Sequence, residues 1–119
     1  HVHVVASREE IDLHKPDVRL YEWAVRKAVC DPKRSVMIGD RLDNDVGPAQ
    51  QVSMRTILVE WRHWTAKNWR PEDPKAQAFL KSCDSVPLFK SANSAVRPDR
   101  TVGSLPEVPS AVESFNRDR

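Results

Sequence analysis

The sequence is short of most features that would assign a function at a glance. Its 119 residues contain only two cysteines, Cys30 and Cys83. They lie far apart, without the Cys-x-x-Cys or Cys/His spacing of a structural metal site. They read as free thiols, which suits a reducing cytoplasm better than a disulfide-stapled secreted chain. Charge of one sign is also lacking. Nineteen Lys and Arg against 17 Asp and Glu leave +2, too balanced to imply nucleic acid as a partner. No apolar run approaches the ~20 residues of a membrane span. The opening His1-Val2-His3-Val4-Val5 is too short for a signal-peptide core. The four histidines show no ligand spacing beyond His1/His3, nothing has the form of a nucleophile elbow, and there is no internal repeat. A chain of this length builds one domain and has no room for two.

What is present alternates between two periods. Val2, Val4 and Val5 form a short β-branched run ending at Ala6-Ser7. From Pro16 to Val29, Val18, Tyr21, Val25 and Ala28 recur at three- and four-residue spacing, with Leu20 and Ala24 widening the stripe. That spacing predicts a core-facing helix, with Pro16 in its first turn and Asp17 at the positive end of its dipole. Ser35 to Gly39 is a continuous apolar run stopped by glycine, the pattern of a strand buried on both faces. A polar loop follows, then a short helix over 46–52 and a second buried-strand run, Arg55 to Val59. Strand, helix, strand, helix, strand within sixty residues predicts an α/β, doubly wound parallel sheet.

Residues 1–60 thus read as the sheet-forming half. Residues 61–97 break the rhythm: Trp61, Trp64 and Trp69 sit among Arg62, Lys67 and Arg70, and Pro71 and Pro74 follow. This segment reads as a Trp/Pro-rich insertion or loop, with two turns of helix over 76–82. Its tryptophans could stack bases, sit at a membrane surface, or cover a sheet edge or subunit interface. Residues 98–119 read as a closing strand at Arg100 to Gly103, then a helix carrying Leu105, Val108, Val112 and Phe115. Pro106 and Pro109 confine regular helix to the later part of that segment.

The chemistry concentrates in Gly39-Asp40-Arg41-Leu42-Asp43-Asn44-Asp45. It lies where a parallel strand ends, the edge at which α/β sheets bind ligands. Three carboxylates so close repel unless solvated, paired or neutralised by a cation, and hard oxygen donors suit Mg²⁺. Asp40, first off the strand, is best placed to face a cleft. Asp45 could orient metal-bound water or pair with a lysine. An exposed turn in which Asn44 or Asp45 caps the next helix would use the same residues. Lys15-Pro16-Asp17 offers an ammonium group able to neutralise a phosphate or hold a carboxylate ionised; an ordinary surface lysine before a helix reads the same way.

Taken in order, these features run Lys-Pro-Asp, amphipathic helix, buried strand, Gly-Asp-x-x-x-Asn-Asp, short helix, then a strand after Met54. That order resembles the C-terminal half of the haloacid dehalogenase-like hydrolases, closely over about residues 2–59 and more loosely over 100–115. Its Gly-Asp…Asn-Asp form is similar to the Mg²⁺-dependent phosphatase members. The resemblance implies a Rossmann-like core, Mg²⁺ as cofactor and a small phosphorylated metabolite as substrate, with neither nucleic acid nor membrane as partner. It implies that Lys15 steadies the nucleophile and the transferred phosphoryl group. Asp40 would bind the metal, and Asp45 would support the metal shell and the lysine.

Two departures matter. The family's nucleophile is the first aspartate of an Asp-x-Asp motif ending a hydrophobic strand, and no such strand occurs here; Asp43 and Asp45 have that spacing but belong to the loop. Ser7 follows a strand-like run yet stands only eight residues before Lys15, so Val2 to Ser7 reads as the strand just before the lysine rather than as a phosphate-binding strand. Ser53 and Gly47-Pro48 are milder departures, because relatives often carry glycine where Ser53 stands. The expectation is therefore an incomplete core, without nucleophile strand or cap: the lysine and metal-site half of a phosphatase, inactive alone and prone to self-association through unpaired sheet edges. The alternative is a shortened, non-catalytic homologue serving as a binding or regulatory module, its tryptophan-rich segment the contact surface.

Overall fold

The computed structural model describes residues 2–7, 9–60, 72–84 and 95–118. Three strands, β1 (Val36–Gly39), β2 (Arg55–Val59) and β3 (Arg100–Val102), form one parallel sheet in the order β1-β2-β3. Ile38 pairs with Ile57, and Val59 with Val102. Four helices accompany them among the described residues: α1 (Val18–Lys27), α2 (Gly47–Gln51), α3 (Pro74–Asp84) and α4 (Val108–Arg117). The doubly wound α/β expectation holds.

Strand alternation divides β2 between two helical layers. Ile57 and Val59 join Val102 and Phe115 in the core, with Val108, Ala111 and Val112 packed against them. Those α4 positions recur at three- and four-residue intervals, so one helical stripe covers this face of the sheet. Thr56 and Leu58 point to the other face, where the Gln50 amide of α2 donates to the Thr56 hydroxyl at 3.2 Å. Thr56 is fully buried, and its polar atoms are satisfied by the start of β3. Its backbone N–H and its hydroxyl both donate to Asp99 Oδ2, at 2.8 and 2.9 Å, and the hydroxyl accepts from Asp99 N–H at 3.1 Å. This clip fixes where β3 meets β2.

Helix α1 starts two residues later than its apolar stripe suggests. Asp17 is its cap, accepting from the Arg19 N–H at 2.9 Å, and Pro16 lies before it rather than in the first turn. The Lys15–Pro16 peptide is cis. Val2 to Ser7 forms no strand. Val2 and Val5 are 81% and 64% exposed: a β-branched run without a neighbouring strand has nothing to complete its hydrogen bonds. The Ser7 hydroxyl accepts from the Glu10 N–H at 3.2 Å, within a local turn. Strand β1 also differs from expectation, because Ile38 is 41% exposed where burial on both faces was anticipated. In the last segment the prolines act as expected, a single turn of tighter helix at Leu105–Glu107 preceding α4.

Helices α1 and α2 end alike. After α1, Val29 N–H donates to Arg26 O and Cys30 N–H to Val25 O; after α2, Ser53 N–H donates to Gln50 O and Met54 N–H to Ala49 O. This double bond pattern needs a left-handed residue just past the cap, usually glycine. Here Val29 (φ 52°) and Ser53 (φ 65°) occupy it. The glycine expected at position 53 therefore has a conformational cause. A β-branched residue is strained there, and Val29, 91% exposed, returns little packing. Val29→Gly is expected to stabilise the fold by about 1 kcal/mol, and Ser53→Gly by less. Urea midpoints of the two variants check this, and a destabilised Val29→Gly chain would contradict it.

Candidate active site

The candidate site forms at the carboxyl end of β1. Asp40 follows Gly39 directly, and the chain then takes one wide helical turn, Leu42–Val46, before entering α2. Within it both Asp45 N–H and Val46 N–H donate to Arg41 O, at 3.0 and 3.1 Å. Such a wide turn re-aims side chains relative to a regular helix. It turns Asp45 inward and leaves Asp40 and Asp43 exposed.

Asp45 is the hub of the loop, its side chain only 4% exposed. Its Oδ1 accepts from Lys15 Nζ at 2.5 Å, and its Oδ2 accepts from the backbone N–H groups of Asp40 and Arg41 at 3.2 and 3.1 Å. A buried carboxylate is tolerable only when paired and hydrogen-bonded in this way. Lys15 lies thirty residues away in sequence and keeps 46% of its side chain in solvent. The lysine thus reaches the buried carboxylate while nearly half of its side chain stays in solvent. The structure thus joins Lys15 to Asp45, with Asp40 at the same strand end. Among the described residues the Asp40 carboxylate has neither hydrogen bond nor ion pair.

Two further residues shape the site, and the periodicity of the sequence assigns that role to neither of them. Tyr21 counts as one apolar position in the α1 stripe, yet its hydroxyl donates to the Asn44 carbonyl. Residues 15 and 21 thus grip consecutive residues 45 and 44, a two-point clamp between the lysine segment and the loop. Arg41 forms a forked pair with Asp43, Nε to Oδ1 at 2.9 Å and Nη2 to Oδ2 at 2.6 Å. The guanidinium holds the Asp43 carboxyl below its ordinary range, and the carboxylate raises Arg41 in turn.

Tyr21 gives the site a measurable pH signature. Burial, and secondarily the Asp45 charge, push its phenol up from 10.0 to about 12. Below pH 10 the folded and unfolded chains both carry the neutral phenol, so its contribution to stability is complete. Between 10 and 12 only the unfolded chain ionises, so stability falls as pH rises through that window. Tyr21 is the sole tyrosine, so phenolate absorbance reports it without overlap. Ionisation is expected near pH 12, merging with unfolding; a folded chain titrating at 10 would refute the burial. Tyr21→Phe, which removes the hydroxyl's bond to the Asn44 carbonyl, should cost about 1 kcal/mol.

Metal capacity can be judged from the donors. Among the described residues no group of three or more His, Cys, Asp and Glu side chains is gathered into a metal cage. Mg²⁺ needs no such cage, since it commonly takes one or two carboxylates and fills its shell with water and a substrate phosphate. An exposed Asp40 at a strand end, unpaired among the described residues, fits that habit. Asp45, with both oxygens already accepting hydrogen bonds, fits a supporting place behind it.

Comparison with known proteins shows the family and the fold. Residues 13–75, just over half of the chain, match the family model described as HAD-hydrolase-like. The chain belongs to the haloacid dehalogenase-like hydrolases. It is 38% identical over 55 residues to a glyceraldehyde 3-phosphate phosphatase of Methanothermobacter thermautotrophicus, covering 46% of this chain and 24% of that protein. Over 89 residues it is 30% identical to a phosphoserine phosphatase of Thermus thermophilus, covering 75% and 33%. The chain thus spans between a quarter and a third of the length of these relatives. Among solved structures, a 2-haloacid dehalogenase from Pseudomonas syringae superposes with TM-score 0.61 at 22% identity, over 90% of this chain and 35% of its own. The HAD-hydrolase YfnB of Bacillus subtilis, solved bound to magnesium, superposes with TM-score 0.56 at 14% identity, over 87% and 35%. These likenesses establish the Rossmann-like fold. The tryptophan set at 61, 64 and 69 lies outside the described residues, and no described helix is long and apolar enough to cross a membrane.

Proposed function

We propose that this chain carries the lysine and metal-site half of a Mg²⁺-dependent phosphate monoester hydrolase acting through a phosphoaspartate on a small phosphorylated metabolite in the cytoplasm. One observation carries the reading: Asp45 holds the Lys15 ammonium on one oxygen at 2.5 Å and the Asp40 N–H on the other at 3.2 Å, at the carboxyl end of a parallel strand where the Asp40 carboxylate has no partner among the described residues. In this reading Asp40 is the direct oxygen ligand, while Asp45 supports the shell and orients Lys15. When bound, Mg²⁺ polarises a phosphoryl oxygen and offsets its charge. Lys15 adds a second positive charge on the open side, where negative charge builds up during transfer. Phosphatase relatives and a magnesium-bound structural neighbour support the assignment.

The attacking carboxylate is not among these 119 residues, which contain no hydrophobic strand ending in Asp-x-Asp. The chain by itself should therefore leave an aryl phosphate intact in Mg²⁺, and turnover abolished by Asp40→Asn would refute that expectation. The coding region ahead of His1 supplies the decisive test. A product extended to the length of the relatives should hydrolyse aryl phosphate in Mg²⁺ and lose about 10²–10³-fold in kcat on Lys15→Ala. An upstream region without an Asp-x-Asp strand would instead leave a non-catalytic binding module. Among the described residues β1 and β3 have no further strand beside them, so the isolated chain is expected to self-associate, which sedimentation at several concentrations measures.

A further inference from the structure

The loop carries three carboxylates, but two of them are already answered by cations. Lys15 meets Asp45, and Arg41 meets Asp43 in a forked pair. Among the described residues only the Asp40 charge of the loop is left without a partner. The Arg41 guanidinium feels all three acids: Asp43 most strongly, then Asp45 and Asp40. It therefore lies within electrostatic reach of the direct-ligand candidate, yet its Nε and Nη2 donors are committed to Asp43, two residues along the chain. Residues two apart do not face each other on a regular helix; here they meet over the turn that leads from β1 into α2. A planar fork suits such a bidentate grip, which a lysine could not reproduce.

We propose that Arg41 is a positioning residue for cation selectivity: by holding the Asp43 carboxylate it keeps the site at one free carboxylate. This inference rests on the Mg²⁺ reading of Asp40. A single free carboxylate matches the sparse protein ligation that Mg²⁺ accepts, whereas Ca²⁺ gathers six to eight oxygens and profits from each added carboxylate. With Arg41 engaged, Asp43 is withheld from a larger, less demanding ion. Once released, it adds both a negative charge and an oxygen pair within the same seven-residue loop.

Mn²⁺ added to the 119-residue chain, followed by paramagnetic broadening of amide signals, reads the site directly and without turnover. In the unaltered chain the broadening should centre on Asp40 and vanish in Asp40→Asn. Arg41→Gln should bind Mn²⁺ about fivefold more tightly, the order expected when an exposed site gains one screened charge. Broadening should then spread to Asp43, and Ca²⁺ should displace the probe better relative to Mg²⁺ than it does from the unaltered chain. Asp43→Asn added to Arg41→Gln should restore the original affinity and ion preference. A purely structural role for the pair would loosen the turn and weaken binding, the opposite direction. Unchanged affinity in Arg41→Gln overturns the proposal, as does failure of the added Asp43→Asn to restore the original affinity and ion preference. The two levels separate cleanly. If Mn²⁺ binding survives Asp40→Asn, or the unaltered chain binds none, the metal reading itself falls and this inference with it. If Asp40→Asn abolishes binding while Arg41→Gln changes nothing, only the role of Arg41 falls.

Discussion

Gly39→Ala is expected to unseat Asp45 and destabilise the chain by about 3 kcal/mol or more. A Cβ added at position 39 would overlap the Cβ, Cγ and Oδ2 atoms of Asp45. The tip of an exposed side chain could swing aside, but Asp45 Cβ is anchored to a backbone held by the wide turn, and the residue is 3% exposed. Either the turn moves off the strand or the carboxylate leaves its donors. Each hydrogen bond to a charged acceptor contributes about 1.5–3 kcal/mol, and Asp45 accepts three. No glycine in the described chain has positive φ, so Gly39 is required for space rather than for backbone freedom. Gly103→Ala is the matched control, because its added Cβ would meet only Glu107 Oε2, at an ordinary 3.5 Å. Urea denaturation of both variants measures the difference. A Gly39→Ala loss below about 1 kcal/mol, the average for any point change, would mean the close approach is not obligatory.

That close approach shows where the sequence was legible and where it was not. Helix α4 and strand β2 could be read because burial imposes a period: Val108, Val112 and Phe115 on one stripe, Thr56 to Val59 as an unbroken buried run. Leu105, which reads into the same stripe, lies before α4 and is 55% exposed. The same logic misled at β1 and at Val2 to Val5. A short apolar run does not reveal how many neighbours cover it, and Ile38 and Val5 both remain exposed. The Lys15–Asp45 contact joins residues thirty apart, so no local pattern encodes it; only the motif order brought the two into one argument. Tyr21 was counted for its ring, while its hydroxyl supports the loop. Arg41 and Asp43 meet through a wide turn that neither helical nor strand spacing describes. The adjacency of Gly39 and Asp40 did carry a usable signal, because a glycine closing a buried strand marks a place where something approaches the backbone.

Asp45→Asn should be the most damaging isosteric change in the chain, costing about 2–4 kcal/mol and disordering the loop. The two carboxylate oxygens face donors on both sides: Lys15 Nζ on Oδ1, the Asp40 and Arg41 N–H groups on Oδ2. An asparagine has one oxygen and one NH₂ group. With the oxygen toward the backbone, the NH₂ confronts the Lys15 ammonium, donor against donor. With the amide flipped, Lys15 keeps an acceptor but two backbone N–H groups lose theirs inside a buried turn. Neither orientation satisfies the site. Lys15→Met is the informative contrast: it removes one donor and leaves Oδ1 without a partner, but the backbone bonds to Oδ2 can persist. The loop should then stay folded while its positive charge is lost. Amide exchange at Asp40 and Arg41 distinguishes the two, with protection lost in Asp45→Asn and largely kept in Lys15→Met. Equal loss of protection in both variants would show that the ion pair, rather than the backbone bonds, holds the loop. Asp45 would then belong to Lys15 first and to the turn only second.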